Sequence, residues 1–268
     1  MRVLGLILAG GESRRFGADK LIALVNGRPS LSWVAEALAE AGAEYLLLAS
    51  RDASRCRLYA QLAGVASSVL CVEDPRELLC GGPASALAGL QLLSIPAETV
   101  YVAPGDMPWL EPRIHVLLES YRRLYNADVA APIHVGYIEP LLLALGGGFA
   151  AKVGQRVKLL CRIRGELRAT DIVRVADRIA LVGSSMLAST SRAFAHINTP
   201  DELRLASARN ALGPEQVSVV NVPWRGDLEG LCSRIKGEAE AYTQVGADQL
   251  ALHARRDLRY FCGGDGGS

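Results

Sequence analysis

An apolar run, Val3-Leu4-Gly5-Leu6-Ile7-Leu8, empties directly into Ala9-Gly10-Gly11-Glu12-Ser13-Arg14-Arg15-Phe16-Gly17-Ala18-Asp19-Lys20, and no other stretch of the chain narrows its fold as far. A strand that ends in a glycine-rich basic loop can receive phosphate. Gly10 and Gly11 put no side chain in the way of an anion, so backbone N–H groups can point at its oxygens. Arg14, Arg15 and Lys20 bring positive charge to the same place. Two familiar phosphate loops do not fit. A Walker A loop needs Lys directly after its second Gly and then Ser or Thr, where this chain has Gly17-Ala18-Asp19-Lys20-Leu21, and the G-x-G-x-x-G spacing is absent.

Lysine usage singles out Lys20. Of 29 basic residues only Lys20, Lys152, Lys158 and Lys236 are lysines, so Lys20 is alone among the first 150 positions of an arginine-preferring chain. An ammonium is a compact point charge on a flexible stem and does a different job from a guanidinium at a reacting phosphate.

At 268 residues, half of them hydrophobic, the chain can bury one large α/β core with or without an appendage. Its 29 basic and 28 acidic residues nearly cancel, which argues against a general nucleic-acid binder. No apolar run reaches the roughly 18 to 20 residues that cross a bilayer, so no membrane contact is expected. The chain starts on a strand rather than a secretory leader, and a cytoplasmic location is expected. Cys56, Cys71, Cys80, Cys161, Cys232 and Cys262 are scattered, with no C-x-x-C pair. They read as small buried hydrophobes in a reducing compartment rather than as a metal or redox site.

Strand and helix patterns alternate through the first half. Pro29 opens a helix through Ala41, 44–50 reads as a strand, 55–62 as a short helix, 68–72 as a strand, 83–93 as a helix and 99–103 as a strand. Such alternation predicts βαβ units and a mainly parallel sheet, with ligands beyond the carboxyl ends of its strands. The Gly10-Gly11 loop and Asp106 both fall at such ends. In the second half 128–132 and 138–145 read as strands, 150–163 as a helix, 171–175 and 179–182 as short strands, and 200–210 as a helix begun at Thr199. Gly213-Pro214 breaks the chain. A nucleotide-handling domain over 1–212 and an extension over 213–268 are expected, the extension with one strand at 217–222, helices near 228–242 and 247–258, and a disordered glycine-rich end.

The N-terminal stretch resembles the signature L-A-G-G-x-S-x-R-F/M-G-x-x-K of the MobA-like nucleotidyltransferases, met at Leu8, Ala9, Gly10, Gly11, Ser13, Arg15, Phe16, Gly17 and Lys20. Further matches follow in the family's order, over about residues 1–205. Asp74 falls where the family uses an Asp to hold the nucleoside, and Gly82-Pro83-Ala84-Ser85-Ala86-Leu87 resembles G-P-L-A-G-I/L. Pro104-Gly105-Asp106-Met107-Pro108 resembles the metal motif C-D-x-P, with Gly105 in place of Cys; read alone, Asp106 could equally cap the helix near Glu111. Glu139-Pro140-Leu141 resembles an acceptor-half strand, Gly154-Gln155-Arg156-Val157 resembles G-x-R-x, and His196-Ile197-Asn198-Thr199-Pro200-Asp201-Glu202-Leu203 resembles N-x-N-T-P-E-E/D-L. His196 replaces the first Asn of that pattern, and Ser50 stands where the molybdenum-cofactor enzymes often place Asn.

The resemblance implies a Rossmann-like three-layer nucleotidyltransferase fold and transfer of a nucleoside monophosphate from an NTP to a phosphorylated acceptor. Lys20, Arg15 and Asp106 are the implied catalytic residues. Leu8, Ala9, Gly10, Gly11, Lys20, Ser50, Asp74, Gly82 and Asp106 would bind nucleotide, Arg156 and Asn198 the acceptor, and Asp106 with Asn198 a Mg²⁺ ion. Two anions meet in this reaction, so positioning and positive charge carry the rate. The leading expectation is GMP transfer from GTP to molybdopterin. Adenosylcobinamide phosphate or a sugar or polyol phosphate is the alternative acceptor, and a non-catalytic nucleotide-binding assembly or regulatory protein is the alternative of another class. The extension is expected to pack on the core or to contact a second subunit or a molybdoenzyme.

Overall fold

A computed structural model describes residues 2–11, 16–50, 52–64, 68–73, 80–90, 95–134, 136–199, 201–202, 212–213, 215–224 and 228–263. Among the described residues are ten strands: β1 (Val3–Leu8), β2 (Leu24–Val25), β3 (Arg28–Pro29), β4 (Tyr45–Ser50), β5 (Ser68–Glu73), β6 (Thr99–Pro104), β7 (Val129–Ile133), β8 (Leu143–Gly146), β9 (Arg178–Gly183) and β10 (Val217–Asn221). β2 and β3 form a small ribbon, and the rest make one sheet in the order β10-β9-β7-β8-β6-β1-β4-β5. β8 runs antiparallel to both its neighbours and β10 antiparallel to β9, while the other six strands share one direction.

Side-chain alternation along the central strands splits the core into two layers. Leu4 and Leu6 face one cluster, Val3 and Ile7 the other. The second face is covered by α1 (Ser30–Glu40), α2 (Ala53–Leu62), α4 (Pro112–Leu124) and α7 (Ser184–Leu187). Helix α1 buries Leu31, Val34, Ala35 and Leu38, the stripe of a helix packed on a sheet. The first face carries α3 (Pro83–Gly89), α5 (Gly147–Arg164), α6 (Asp171–Arg174) and the two long C-terminal helices, α8 (Leu228–Gln244) and α9 (Asp248–Cys262). None of the described helices is long and apolar enough to cross a membrane.

Two sequence expectations about elements are corrected. The segment 171–175 is a helical turn rather than a strand, because the Asp171 carboxylate accepts from Arg168 N at 2.5 Å and pairs with Arg164 at 2.6 Å. The strand expected over 138–145 is confined to β8, since Pro140 and the Leu142 N to Glu139 O bond make a turn before it. The expected helix over 200–210 is described only at its start. There Thr199 Oγ1 accepts from Glu202 N at 3.2 Å while Glu202 Oε2 accepts from Asn198 N at 2.8 Å, a reciprocal cap.

The cysteine expectation is overturned. The six pair as Cys56 with Cys71, Cys80 with Cys161, and Cys232 with Cys262, at Cα separations of 5.8, 5.9 and 5.8 Å. Those are ordinary bridging distances. Folding brings together positions 15, 81 and 30 residues apart, which no local spacing announces.

Past residue 212 the chain remains part of the same body. β10 extends the main sheet, and Leu231, Ile235, Tyr242 and Leu250 join the apolar cluster that also holds Val129 and Leu145. A buried ionic network crosses this junction. Arg174 Nε meets Glu238 at 2.8 Å and its other side meets Asp257, Arg164 reaches Asp171 at 2.6 Å and Asp257 at 3.4 Å, and Arg234 closes on Glu238 at 2.8 Å.

Candidate active site

β1 lies between β4 and β6: the chain runs outward from β1 to β4 and β5 on one side and then crosses back to β6 on the other, so the strand order reverses at β1 and a crevice opens above its carboxyl end. A cavity of about 190 Å³ occupies that crevice, lined by Leu8, Gly10, Gly11, Lys20, Ala49, Gly82, Pro104 and Asp106 among others. Backbone bonds hold its rim: Ala9 N donates to Ala49 O at 2.8 Å, and Gly105 N donates to Leu8 O at 3.1 Å. A Cβ on Gly105 would come within 3.0 Å of Leu21 and 3.3 Å of Ile7, so glycine lets the turn before Asp106 sit against the loop after β1. Gly82 adopts φ +83°, open to glycine, and a Cβ there would meet Leu167 O at 2.9 Å.

Lys20 is placed from behind. Its neighbour Asp19 accepts from Leu21 N at 3.1 Å and from the buried Tyr59 hydroxyl of α2 at 2.5 Å. The Lys20 ammonium forms an ion pair with Asp106, 86 positions away, and donates to Asn198 Oδ1 at 3.2 Å. Asp106, only 6 % exposed, is gripped further by Ile197 N on its carbonyl at 2.9 Å and by His196 Nδ1 on Oδ1 at 3.1 Å. The second His196 nitrogen lies 3.1 Å from Glu139 Oε2. Burial pushes the Asp106 carboxyl up, but the hydrogen bond and charge of His196, with Lys20, outweigh it and hold the group at about 2. Burial likewise disfavours charge on His196, yet its bonds to Asp106 and Glu139 raise it to about 10. Asp106 and His196 are thus both ionised at neutral pH.

Of the residues expected from sequence, Leu8, Gly10, Gly11, Lys20, Gly82 and Asp106 line one cavity, and Asn198 reaches the Lys20 ammonium. Ala9 is buried in the rim. Ser50 ends β4 beside the lining residue Ala49, its Oγ accepting from Asp52 N at 3.4 Å. Arg15 and Asp74 lie outside the described residues, as do Arg14 and Ser13. The helix-capping alternative for Asp106 is not what the structure has, since α4 starts at Pro112 with Glu111 at its N-cap and no side-chain cap, and the carboxylate is spent on Lys20 and His196.

Arg156 requires correction. Its guanidinium donates to Val175 O and Asp177 Oδ2, both at 2.8 Å, just before the amino end of β9 and so at the opposite rim of the sheet. The cause is β8: running antiparallel to β6, it delivers the chain to the far rim, where α5 begins.

Glu139 and His196 are site residues that the sequence motifs contain but to which no role was assigned. His196 carried a signal, a histidine where the resemblance has asparagine, and Glu139 opens the segment that resembles the acceptor-half strand. For a divalent cation the chemistry of the donor set is suitable: Asp106 and Asn198 offer hard oxygens that share the Lys20 ammonium, and Mg²⁺ takes few protein oxygens beside substrate phosphates. Among the described residues no group of three or more His, Cys, Asp or Glu forms a metal cage by itself.

The family model of the MobA-like NTP transferase domain matches residues 5–145. A molybdenum cofactor guanylyltransferase of Cereibacter sphaeroides is 36% identical over 175 residues, 58% of this chain and 83% of that one. A probable molybdenum cofactor guanylyltransferase of Thermococcus kodakarensis is 27% identical over 205 residues, 75% of this chain and 92% of the other. Among solved structures, molybdopterin-guanine dinucleotide biosynthesis protein A from Archaeoglobus fulgidus superposes with a TM-score of 0.58 at 20% identity, covering 76% of this chain and 96% of that chain, a likeness of fold.

Proposed function

Because the chain belongs to the MobA-like NTP transferase family, we propose that it is a molybdenum cofactor guanylyltransferase, moving GMP from GTP to the phosphate of molybdopterin with release of pyrophosphate. The observation that carries the reading is the convergence of Lys20, Asp106 and Asn198 at the crevice above β1. The relatives' names supply the acceptor and the base.

In this reading the backbone from Leu8 to Gly11, with Arg15, takes the β- and γ-phosphates, and Ser50, Asp74 and Gly82 border the nucleoside. Lys20 sets its ammonium against the α-phosphate, where negative charge accumulates as an acceptor phosphate oxygen forms its bond to phosphorus and the bond to pyrophosphate breaks. Asp106 and Asn198 would hold Mg²⁺, which when bound supplies charge neutralisation for the triphosphate. No side chain serves as nucleophile. With Arg156 removed to the other rim, Asn198 is what remains of the acceptor-binding pair. A cytoplasmic location goes with the substrates. Three disulfides suit that location only in the manner of hyperthermophile intracellular proteins. An extension from residue 213 that packs on the nucleotide-handling part over 1–212, and its contact with a second subunit or a molybdoenzyme, belong to the same reading.

The test is pyrophosphate release from GTP, ATP and CTP with molybdopterin, with and without Mg²⁺. Mg²⁺-dependent release with GTP is the expected result, and Asp106→Ala should lower it by about 10²–10³-fold. Release that persists in Asp106→Ala, or none in the parent chain, removes the proposal.

A further inference from the structure

Asp106 has two carboxylate oxygens: Oδ2 pairs with the Lys20 ammonium, and Oδ1 is held by His196. A carboxylate free to turn would offer either oxygen to a cation, at the cost of ordering it each time the cation binds. Here that freedom is removed by one segment. Ile197 N binds the Asp106 carbonyl at 2.9 Å, and the preceding side chain, His196, binds Oδ1 at 3.1 Å. His196 is in turn fixed by Glu139 Oε2 at 3.1 Å. Glu139 is anchored through its own backbone, N to Pro132 O at 3.0 Å, at the carboxyl end of β7. Both side chains are largely buried, at 25 % and 13 % exposure, so the bonds are shielded from competing water. A carboxylate accepts only, so an imidazole set between two of them donates through both nitrogens. The asparagine of the resembled motif is too short to span from Asp106 to Glu139; histidine does both.

We propose that Glu139 and His196 are positioning residues that lock one oxygen of Asp106 and so leave the other presented to Lys20 and a divalent cation. The inference rests on the transferase reading for the cation but not for its test. The pair also couples the cation site to the segment 139–141, whose Leu141 lines the nucleotide cavity. Partners of this kind behind a ligand are typically worth about 10–100-fold in metal affinity.

Mn²⁺ binding to the full-length chain in the presence of GTP, followed by electron paramagnetic resonance, tests this without turnover. His196→Ala and Glu139→Ala should each weaken Mn²⁺ by about 10–100-fold. Glu139→Gln, which keeps an acceptor oxygen for Nε2, should recover most of the affinity, whereas His196→Asn should behave like His196→Ala. The KM for GTP at saturating Mg²⁺ should stay within about twofold, because the loss is confined to the cation. Should His196→Ala not fold, the two Glu139 variants decide alone. Parental Mn²⁺ affinity in folded Glu139→Ala overturns the proposal, as does a parent chain that binds no Mn²⁺ with GTP. A parent chain that binds Mn²⁺ with GTP yet releases no pyrophosphate ends the transferase reading and leaves the positioning role standing.

Discussion

In the proposed transfer Lys20 does work that an arginine would not. The ammonium reaches Asp106 and Asn198 from a backbone turn fixed by Asp19, which Tyr59 and Leu21 N hold, and a point charge can follow the α-phosphate as its geometry changes. A guanidinium would grip Asp106 in a fork and withdraw the oxygen that a cation needs. Lys20→Arg is therefore expected to lose nearly as much as Lys20→Ala, about 10²–10³-fold in single-turnover pyrophosphate release. An Arg variant within about threefold of the parent would contradict the role. His115 makes a prediction away from the site. It is wholly buried, donates from Nε2 to Val102 O at 3.0 Å, and burial pushes its pKa from 6.5 down to about 4. A folded pKa below the unfolded one means that the unfolded chain takes up the proton first. Stability is thus complete above pH 6.5 and falls as pH drops from 6.5 through 4, by about 3 kcal/mol for this group. Tm measured across that window should decline less steeply in His115→Gln, which keeps a donor for Val102.

At the scale of elements, much of the first half was legible because apolar runs and their breaks are local: β1, α1, β4 and β6 lie within a residue or two of their expected limits. Gly10, Gly11, Lys20, Asp106 and Asn198 were legible for the same reason, each lying inside a short motif. What could not be read was direction and long-range pairing. Nothing in 143–146 says that β8 runs backwards, yet that reversal sends Arg156 to the wrong rim. The contact of His196 with Glu139 spans 57 positions and exists only after folding. The network joining α5 and α6 to α8 and α9 is of this kind too. Asp257 serves Arg164, Arg168 and Arg174 together, and removing it strands buried guanidinium charge. Asp257→Ala should cost about 3–5 kcal/mol in denaturant unfolding, whereas replacing the whole cluster by apolar side chains of similar volume should cost far less.

Over the whole molecule the extension and the cross-links set how the chain unfolds. A chain stopped at residue 212 would lose β10 and expose the face that Leu231, Ile235, Tyr242 and Leu250 cover. Such a truncation is expected to aggregate, and a soluble fragment melting within a few degrees of the full chain would show the extension to be dispensable. The disulfides close loops of 15, 81 and 30 residues, worth about 3, 4.5 and 3.5 kcal/mol in the chain-entropy account. Calorimetry with and without a strong reductant should show a large fall in Tm, with the largest single share from the link between Cys80 and Cys161. The reversed strand has one more consequence, for anyone wishing to retarget the chain to a new acceptor. Helix α5 is an unprofitable place to diversify, because Arg156 is committed to Val175 and Asp177 at the far rim; libraries belong in 136–141 and 191–198, the stretches after β7 and β9 that reach the proposed site through Glu139, Leu141, His196 and Asn198.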